Sequence, residues 1–320
     1  MAKKRIVVVG SSNTDMIIKL ARLPKPGETL LGGEFITAAG GKGANQAVGA
    51  ARAGGQVTLI ARVGRDVLGE QAVAELVKDD INADHVSRDN ASPSGVALIL
   101  VAQDGENVIA VASGANGRLT PAEVKKAKSV FSGASMLIMQ LETPLETVQA
   151  AAELATRAGV PVILNPAPAR PLPDKLLRRV SILTPNESEA ELLTGIKVNS
   201  DAAAAHAADR LRARGVQTVI LTLGARGAFV AGDGCRQRVP GFKVKAVDTT
   251  AAGDIFNGAL AVALAERQPL PNAVCFANAA AALSVTRLGA QPSAPARNEI
   301  ERLLRSRKRP SGFSFISSKR

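Results

Sequence analysis

Short apolar runs of strand length alternate along the chain with alanine-rich stretches whose apolar positions recur every three to four residues. That alternation is the signature of βα units, and it predicts an α/β fold: three layers, a mostly parallel sheet with helices on both faces. The predicted strands are residues 6–9, 57–61, 136–139, 160–164, 182–183 and 218–222. Helix starts carry caps. Thr120 with Pro121 and Glu123 predicts a capping box, and Thr143 with Pro144 and Glu146 predicts another. Two regions break the rhythm and read as strands without helices: residues 15–20 with 34–38, and 95–102 with 107–112, the second a hairpin around Asp104-Gly105. Such strands do not join a parallel sheet easily, so they predict a small separate β-sheet that would suit a lid. The Pro-rich segment 165–173 is short enough to be an ordered loop.

Composition places limits on this picture. With 320 residues, 46% hydrophobic and 21% charged, the chain has ordinary globular character, which excludes disorder, collagen-like repeats and coiled coil. The pattern predicts one large domain over residues 1–304 and a basic, disordered tail over 305–320. Net charge is +12, but half of it belongs to Arg305, Arg307, Lys308, Arg309, Lys319 and Arg320, where no acid intervenes. The tail reads either as a solvated end or as a contact for an acidic partner or membrane surface. There is no Trp or Tyr and there are eight Phe, so the stacking surfaces single-stranded nucleic acid needs are largely missing. No nucleic acid is expected, and acidic small molecules account for the balance. The apolar run behind the basic start is too short for a signal-peptide core or a membrane span, so no membrane is expected. Cys235 and Cys275 form neither a CxxC pair nor a disulfide framework, which fits a reducing cytoplasm.

The two histidines, His85 and His206, have no nucleophile motif or ligand spacing near them, which argues against histidine triads and zinc sites. Residues 40–45, GGKGAN, fail both GxxxxGK[ST] and GxGxxG, because Gly43 follows the lysine where Ser or Thr belongs and Gln46 stands where the last glycine belongs. They offer either a tight strand-to-helix turn or a glycine-rich helix start at which free N–H groups, Lys42 and Asn45 meet a polyhydroxylated ligand. Residues 248–254, DTTAAGD, precede an apolar helix. Small residues at 251–253 let three N–H groups share one space as an anion hole, and Asp254 could take a hydroxyl proton beside it. Asp254 could equally just favour a first helical turn. Asn186 and Glu189 fall one turn apart and read as oxygens for hydrated magnesium or as a plain helix cap. Thr222, Gly224 and Gly227 end a strand where nucleotide phosphates can approach backbone, or where a hairpin turns into residues 228–231.

Taken together, Asn13-Thr14-Asp15, GGKGANQAV (40–48), GRDVLG (64–69), MQLETPLE (139–146), NPAPAR (165–170), TPNESEAELLTG (184–195) and AVDTTAAGDIFNGAL (246–260) closely resemble the phosphofructokinase B family of carbohydrate kinases. The resemblance runs from about residue 6 to residue 304. It implies the family's sheet with a β lid that closes the sugar site and pairs with a second subunit in a homodimer. It implies an activity: transfer of phosphate from ATP to the 5-hydroxyl of D-ribose, or of another small sugar such as 2-deoxyribose or fructose; a silent sugar or nucleotide sensor is the remaining alternative. Carried over by position, Asn13, Asp15, Gly41, Lys42, Asn45 and Glu142 would hold the sugar, with Asp254 as base and Ala251, Ala252 and Gly253 as anion hole. Asn186, Thr222, Gly224, Gly227, Gly253 and Asn278 would contact ATP, with Mg2+ ordered through water by Asn186 and Glu189. A monovalent cation, K+, would sit among Asp248, Thr250, Ser284, Arg287, Gly289 and Ser293. The family signature often has Gly where Ala251 stands.

Overall fold

The computed structural model describes residues 4–104, 106–232 and 234–306. The chain opens with β1 (Arg5–Val9), β2 (Asn13–Leu20) and β3 (Glu34–Gly40), then α1 (Lys42–Arg52), β4 (Gln56–Gly64), α2 (Val67–Lys78), β5 (Asn82–Asp89), β6 (Gly95–Ala102) and β7 (Asn107–Ala112). It continues through α3 (Pro121–Lys126), β8 (Met136–Met139), α4 (Leu145–Arg157), β9 (Val162–Leu164), α5 (Asp174–Leu177), β10 (Ile182–Leu183), α6 (Glu187–Thr194) and α7 (Asp201–Ala213). It closes with β11 (Thr218–Thr222), β12 (Ala228–Gly232), β13 (Cys235–Val239), α8 (Ala252–Ala265), α9 (Leu270–Ser284) and α10 (Arg297–Ser306).

The larger sheet runs β13-β12-β11-β10-β9-β8-β1-β4-β5, parallel from β11 to β5, with an antiparallel hairpin of β12 and β13 at one edge. All six predicted central strands lie in it. The pattern did not pick out β5 and β13, whose sequences NADHVSRD and CRQRV are polar edge strands rather than apolar runs. Alternation along the strands builds the three layers. Ile6 and Val8 point into a core shared with α1, α8 and α9, while Val7 and Val9 point into a second core with α4 and α7.

On the first of these faces α1 and α8 pack backbone to backbone. A Cβ on Gly258 would lie 2.6 Å from the Gln46 carbonyl oxygen and would also strike the backbone of Gly49 and Ala50. The small residues Gly49, Ala50 and Gly258 therefore bring the N-terminal turns of α1 and α8 together. Those turns carry Asn45 and Asp254.

The two irregular regions form a separate sheet, β3-β2-β6-β7, in which β6 and β7 make the expected antiparallel hairpin. Asp104 sits in its turn, and Gly105 lies outside the described residues. Register assigns the faces. Asp15, Ile17, Ile36, Ile99 and Ile109 share one face, and Ile18, Phe35, Leu98 and Val108 the other.

Two expectations are corrected. The Thr120 capping box is present with both of its hydrogen bonds, but that of Thr143 is not: Pro144 is extended, with ψ at 137°, and α4 begins one residue later at Leu145. The boundary at residue 304 is too early, because Arg305 and Ser306 complete α10; residues 307–320 of the expected tail lie outside the described residues.

Candidate active site

The site grows from the C-terminal ends of the parallel strands, where open α/β sheets gather their ligands. After β1, the chain turns through Gly10, Ser11 and Ser12 into the lid. The Ser11 hydroxyl donates to Glu142 and accepts from the Gly43 N–H at 3.2 Å, while the Ala44 N–H donates to the Ser11 carbonyl at 2.8 Å. Gly41 holds φ at +85°, and a Cβ there would lie 2.6 Å from the Asn13 nitrogen, so this turn needs glycine for both conformation and space. The return strand β3 ends at Gly40, where a side chain would collide with the Asp15 carboxylate.

These constraints bring Asp15, Lys42, Asn45, Glu142, Glu189 and Asp254 within electrostatic or hydrogen-bonding reach of one another. Asn45 Nδ2 donates to Asp254 Oδ2 at 3.2 Å, and Glu142 accepts the Lys42 N–H at 3.0 Å. Asp254 beside it holds the Lys42 ammonium above its ordinary range; burial works the other way, and Glu142, Glu189 and Asp15 add to the upward push. Burial first, then Glu142 and Asp254, push Asp15 up to about 6, with Lys42 pulling it back. Burial also raises Glu189, against the Asn186 N–H and Lys42. One ammonium among four carboxylates can hold several hydroxyl donors and can remove one proton from them.

Asp254 lies in the first turn of α8. Its N-cap is Ala251, in the left-handed region at φ +59°, and the Ala252 N–H donates to Thr249 O at 3.3 Å. The N–H groups of Gly253 and Asp254 open the helix where no intrahelical carbonyl can reach them, and a Cβ on Gly253 would stand in open space, with nothing within 4 Å of it. This is an anion-binding geometry.

Asn186 caps α6 in a full capping box with Glu189, at 2.8 Å from the Glu189 N–H and, in return, 2.9 Å from its own N–H to Glu189 Oε2. The cap accounts for both residues, and the field of Lys42 and Asp254 at Glu189 brings the same pair to the acid cluster. Carboxylate and amide oxygens suit a hydrated divalent ion. Thr222 donates its N–H to Pro185 O at 2.9 Å, which joins the β11–β12 turn to Asn186. In that turn Gly224 and Gly227 hold φ at +55° and +94°. Asn278 is not exposed to the turn directly: its Nδ2 donates to Val239 O at 3.1 Å, and Val239 O is what a Cβ on Gly227 would meet.

Of the residues expected around a monovalent cation, Asp248, Thr250 and Gly289 meet where two loops are laced together. Val247 N–H donates to Val285 O at 2.7 Å, and the Asp248 carboxylate accepts from the Thr250 and Gly289 N–H groups, each at 2.9 Å. Burial opposes ionisation of Asp248, but these bonds outweigh it and hold the carboxyl below its usual range. Ser284 and Ser293 are buried, each hydroxyl donating to a nearby carbonyl, which leaves its oxygen as an acceptor. The donor set is all oxygen, with a single carboxylate, and fits a hard singly charged ion. Arg287 contributes no side chain to it, because its guanidinium turns to Glu299.

A cavity of about 960 Å3 lies between the inner lid face and the body; it reaches Asn13, Asp15, Asp248, Thr250 and Gly289 but not Asp254. Sequence reasoning missed Ser11, Gln46, Asn116, Gln140 and Asn165, all buried polar residues beneath the site. A signal was present: Gln140, Asn165 and Thr184 each stand one residue past a predicted strand, where the run of Ile, Leu and Met stops.

Residues 3–297 match the pfkB family of carbohydrate kinases. The chain belongs to that family. Among its pfkB relatives is a ribokinase of Haemophilus influenzae, 45% identical over 93% of this chain and 97% of that one. A deoxyribokinase of Salmonella typhi is 36% identical over 93% and 98%. The structure of an Arabidopsis thaliana ribokinase complexed with ribose and ATP superimposes with a TM-score of 0.86, at 34% identity over 94% of this chain and 99% of that one. This pfkB chain is therefore a carbohydrate kinase whose two sheets correspond to the family's body and lid.

Proposed function

We propose that the protein is a ribokinase, transferring the γ-phosphoryl group of ATP to the 5-hydroxyl of D-ribose to give D-ribose 5-phosphate and ADP. The observation that carries this reading is the seat of Asp254, a carboxylate in the first turn of α8, beside unbonded helix N–H groups and within reach of Asn45 and Lys42. The full-length similarity to ribokinases supports the choice of sugar.

On this reading Asn13, Asp15, Gly41, Lys42, Asn45 and Glu142 hold the sugar hydroxyls. Asp254 takes the 5-hydroxyl proton as that oxygen bonds to the γ-phosphorus and the bond to the departing ADP oxygen breaks. N–H groups at Ala251, Ala252 and Gly253 meet the charge on the moving phosphoryl group; Ala252 must loosen its long bond to Thr249 to take part. Asn186, Thr222, Gly224 and Gly227 line the ATP side, and Asn278 supports it through Val239. Mg2+, when bound, neutralises phosphate charge near Asn186 and Glu189. Asp248, Thr250, Ser284, Gly289 and Ser293, with the Arg287 carbonyl, would hold K+ behind the α8 turn. Among the described residues no helix is long and apolar enough to cross a membrane; the cytoplasm as compartment rests on the similarity to ribokinases.

The test is ADP release by the purified protein with MgATP and ribose, 2-deoxyribose, fructose or adenosine, with and without K+. Ribose-dependent, K+-stimulated turnover is expected. Preference for 2-deoxyribose would replace the substrate, the second reading that the Salmonella relative favours; silence with every sugar would leave a sensor.

A further inference from the structure

Gln46 lies beside Asn45 on α1, is fully buried, and has no part in holding sugar or nucleotide in the reading above. Its Nε2 donates to Asp254 Oδ1 at 2.9 Å and to Asn165 Oδ1 at 3.2 Å, and its Oε1 accepts from Gln140 Nε2 at 2.7 Å. The direction of every bond follows from one fact: an ionised carboxylate only accepts. Gln46 must therefore turn its amide NH2 to Asp254, which turns its oxygen to Gln140 and fixes the Gln140 amide as donor. Asn165 is fixed in the same way, with Nδ2 donating to Thr184 O at 3.3 Å. The Thr184 hydroxyl donates to Asn257 Oδ1 at 2.7 Å, and Asn257 Nδ2 donates to Gly253 O at 2.7 Å, one residue from the starting carboxylate. The chain of bonds leaves α8 at Asp254, passes the ends of β8, β9 and β10, and returns to α8 at Gly253.

The two oxygens of Asp254 are thus held differently. Oδ1 is bonded to a residue that is itself fixed by two buried partners. Oδ2 is bonded to Asn45 Nδ2 at 3.2 Å, and Asn45 is loosely satisfied, its own Oδ1 being buried without a partner. An arriving hydroxyl can satisfy Asn45 Oδ1 and draw the amide off Oδ2.

We infer that Gln46 is the positioning residue of the phosphoryl-transfer site: it pins Asp254 by Oδ1, so that Oδ2 is the oxygen released to take the substrate proton. This rests on Asp254 as base. The groups facing that carboxylate are Lys42 and Asn45 on α1 with Gln46, Asp15 from β2 and Glu189 from α6.

Two substitutions of the full chain test it. Gln46→Met keeps the length and removes the donor; kcat should fall about 10- to 100-fold while the ribose KM stays within about threefold, because the loss is of orientation and not of binding. Gln46→Glu restores a donor only when protonated. Its kcat deficit relative to wild type should be at least as large as that of Gln46→Met at pH 8 and should shrink several-fold towards pH 6. A merely space-filling role would not respond to pH in this way. Wild-type-like kcat in either variant, or a Gln46→Glu deficit that stays flat across pH, overturns the inference, and should Gln46→Met fail to fold, the Gln46→Glu profile decides alone. Asp254→Asn is run in parallel. An active Asp254→Asn removes the base itself, whereas an inactive Asp254→Asn with active Gln46 variants removes only the role of Gln46.

Discussion

At the scale of single residues, the acid cluster joins stability to binding with opposite signs. Asp254→Asn keeps the shape of the base and removes its basicity, so kcat should fall about 10²- to 10⁴-fold while the ribose KM changes less than about threefold; steady-state kinetics reads both. Asp15 makes a sharper case. Its native value near 6 stands above the ordinary 3.8, so between those values the native state binds more protons than the unfolded chain. Its contribution to stability is complete below about pH 4 and is lost as pH rises through 6. Asp15→Asn, which has no charge to bury, should therefore stabilise the fold at pH 8 by at most about 3 kcal/mol for a shift of this size, raising the melting temperature there and leaving it unchanged near pH 4. The same substitution removes an acceptor for a sugar hydroxyl and should raise the ribose KM. In the wild type that KM should fall between pH 5 and 7 as Asp15 ionises. Equal melting shifts at both pH values would show that the charge of Asp15 costs the fold nothing.

Elements position these residues, and one short element does so without touching the reaction. The 3-10 turn Gly114–Arg118 places Asn116, which is buried, against the start of β2. Its Oδ1 accepts the Ser12 N–H at 2.9 Å, and its Nδ2 donates to Ser12 O at 3.1 Å and to Asn13 Oδ1 at 2.7 Å. Asn13 is thereby left with its own Nδ2 for a sugar oxygen. Asn116→Ala should raise the ribose KM about tenfold with little change in kcat, and should lower stability by about 1–3 kcal/mol through the backbone groups it leaves unpaired; titration of ribose and denaturant unfolding measure the two effects. Nothing in the sequence pattern marks Asn116, because its partners lie more than a hundred positions away. That is the general limit. The strands β1, β8 and β11 and the caps at Thr120 and Asn186 were legible because apolar runs and caps are local signals. At Thr143 the local signal was present and tertiary contacts overrode it: the Leu141 N–H bonds to Ala167 O and Glu142 accepts from Lys42, so the approach to α4 is set by the site. Motif order brought Asn45, Asp254 and Glu189 to attention, but which oxygen meets which amide is a property of packing between α1 and α8.

The whole molecule leaves one sheet unfinished. A single layer can be apolar on one face when that face rests on a core, and polar on the other. The lid is apolar on both: Ile17, Ile36, Ile99 and Ile109 look into the cavity above Asp15, while Ile18, Phe35, Leu98 and Val108 look away from it, Phe35 61% and Leu98 54% exposed. Closure over a sugar would cover the inner face and exclude the water that would otherwise compete for the phosphoryl group. No part of the described chain covers the outer face, where Phe35, Leu98 and Val108 are each more than half exposed. A second copy of the same sheet, face to face, would satisfy it, since a two-fold contact needs only one self-complementary patch. The protein should therefore sediment as a dimer, and Phe35→Lys with Leu98→Lys should convert it to a monomer, since charge cannot be buried there without a partner. Because the lid would lose its support, the ribose KM of that monomer should rise, while Asp254 and the nucleotide side, built on the large sheet, should keep their ATP affinity. A monomeric wild type, or a charged variant that still sediments as a dimer, would mean that the outer face meets something other than its own copy.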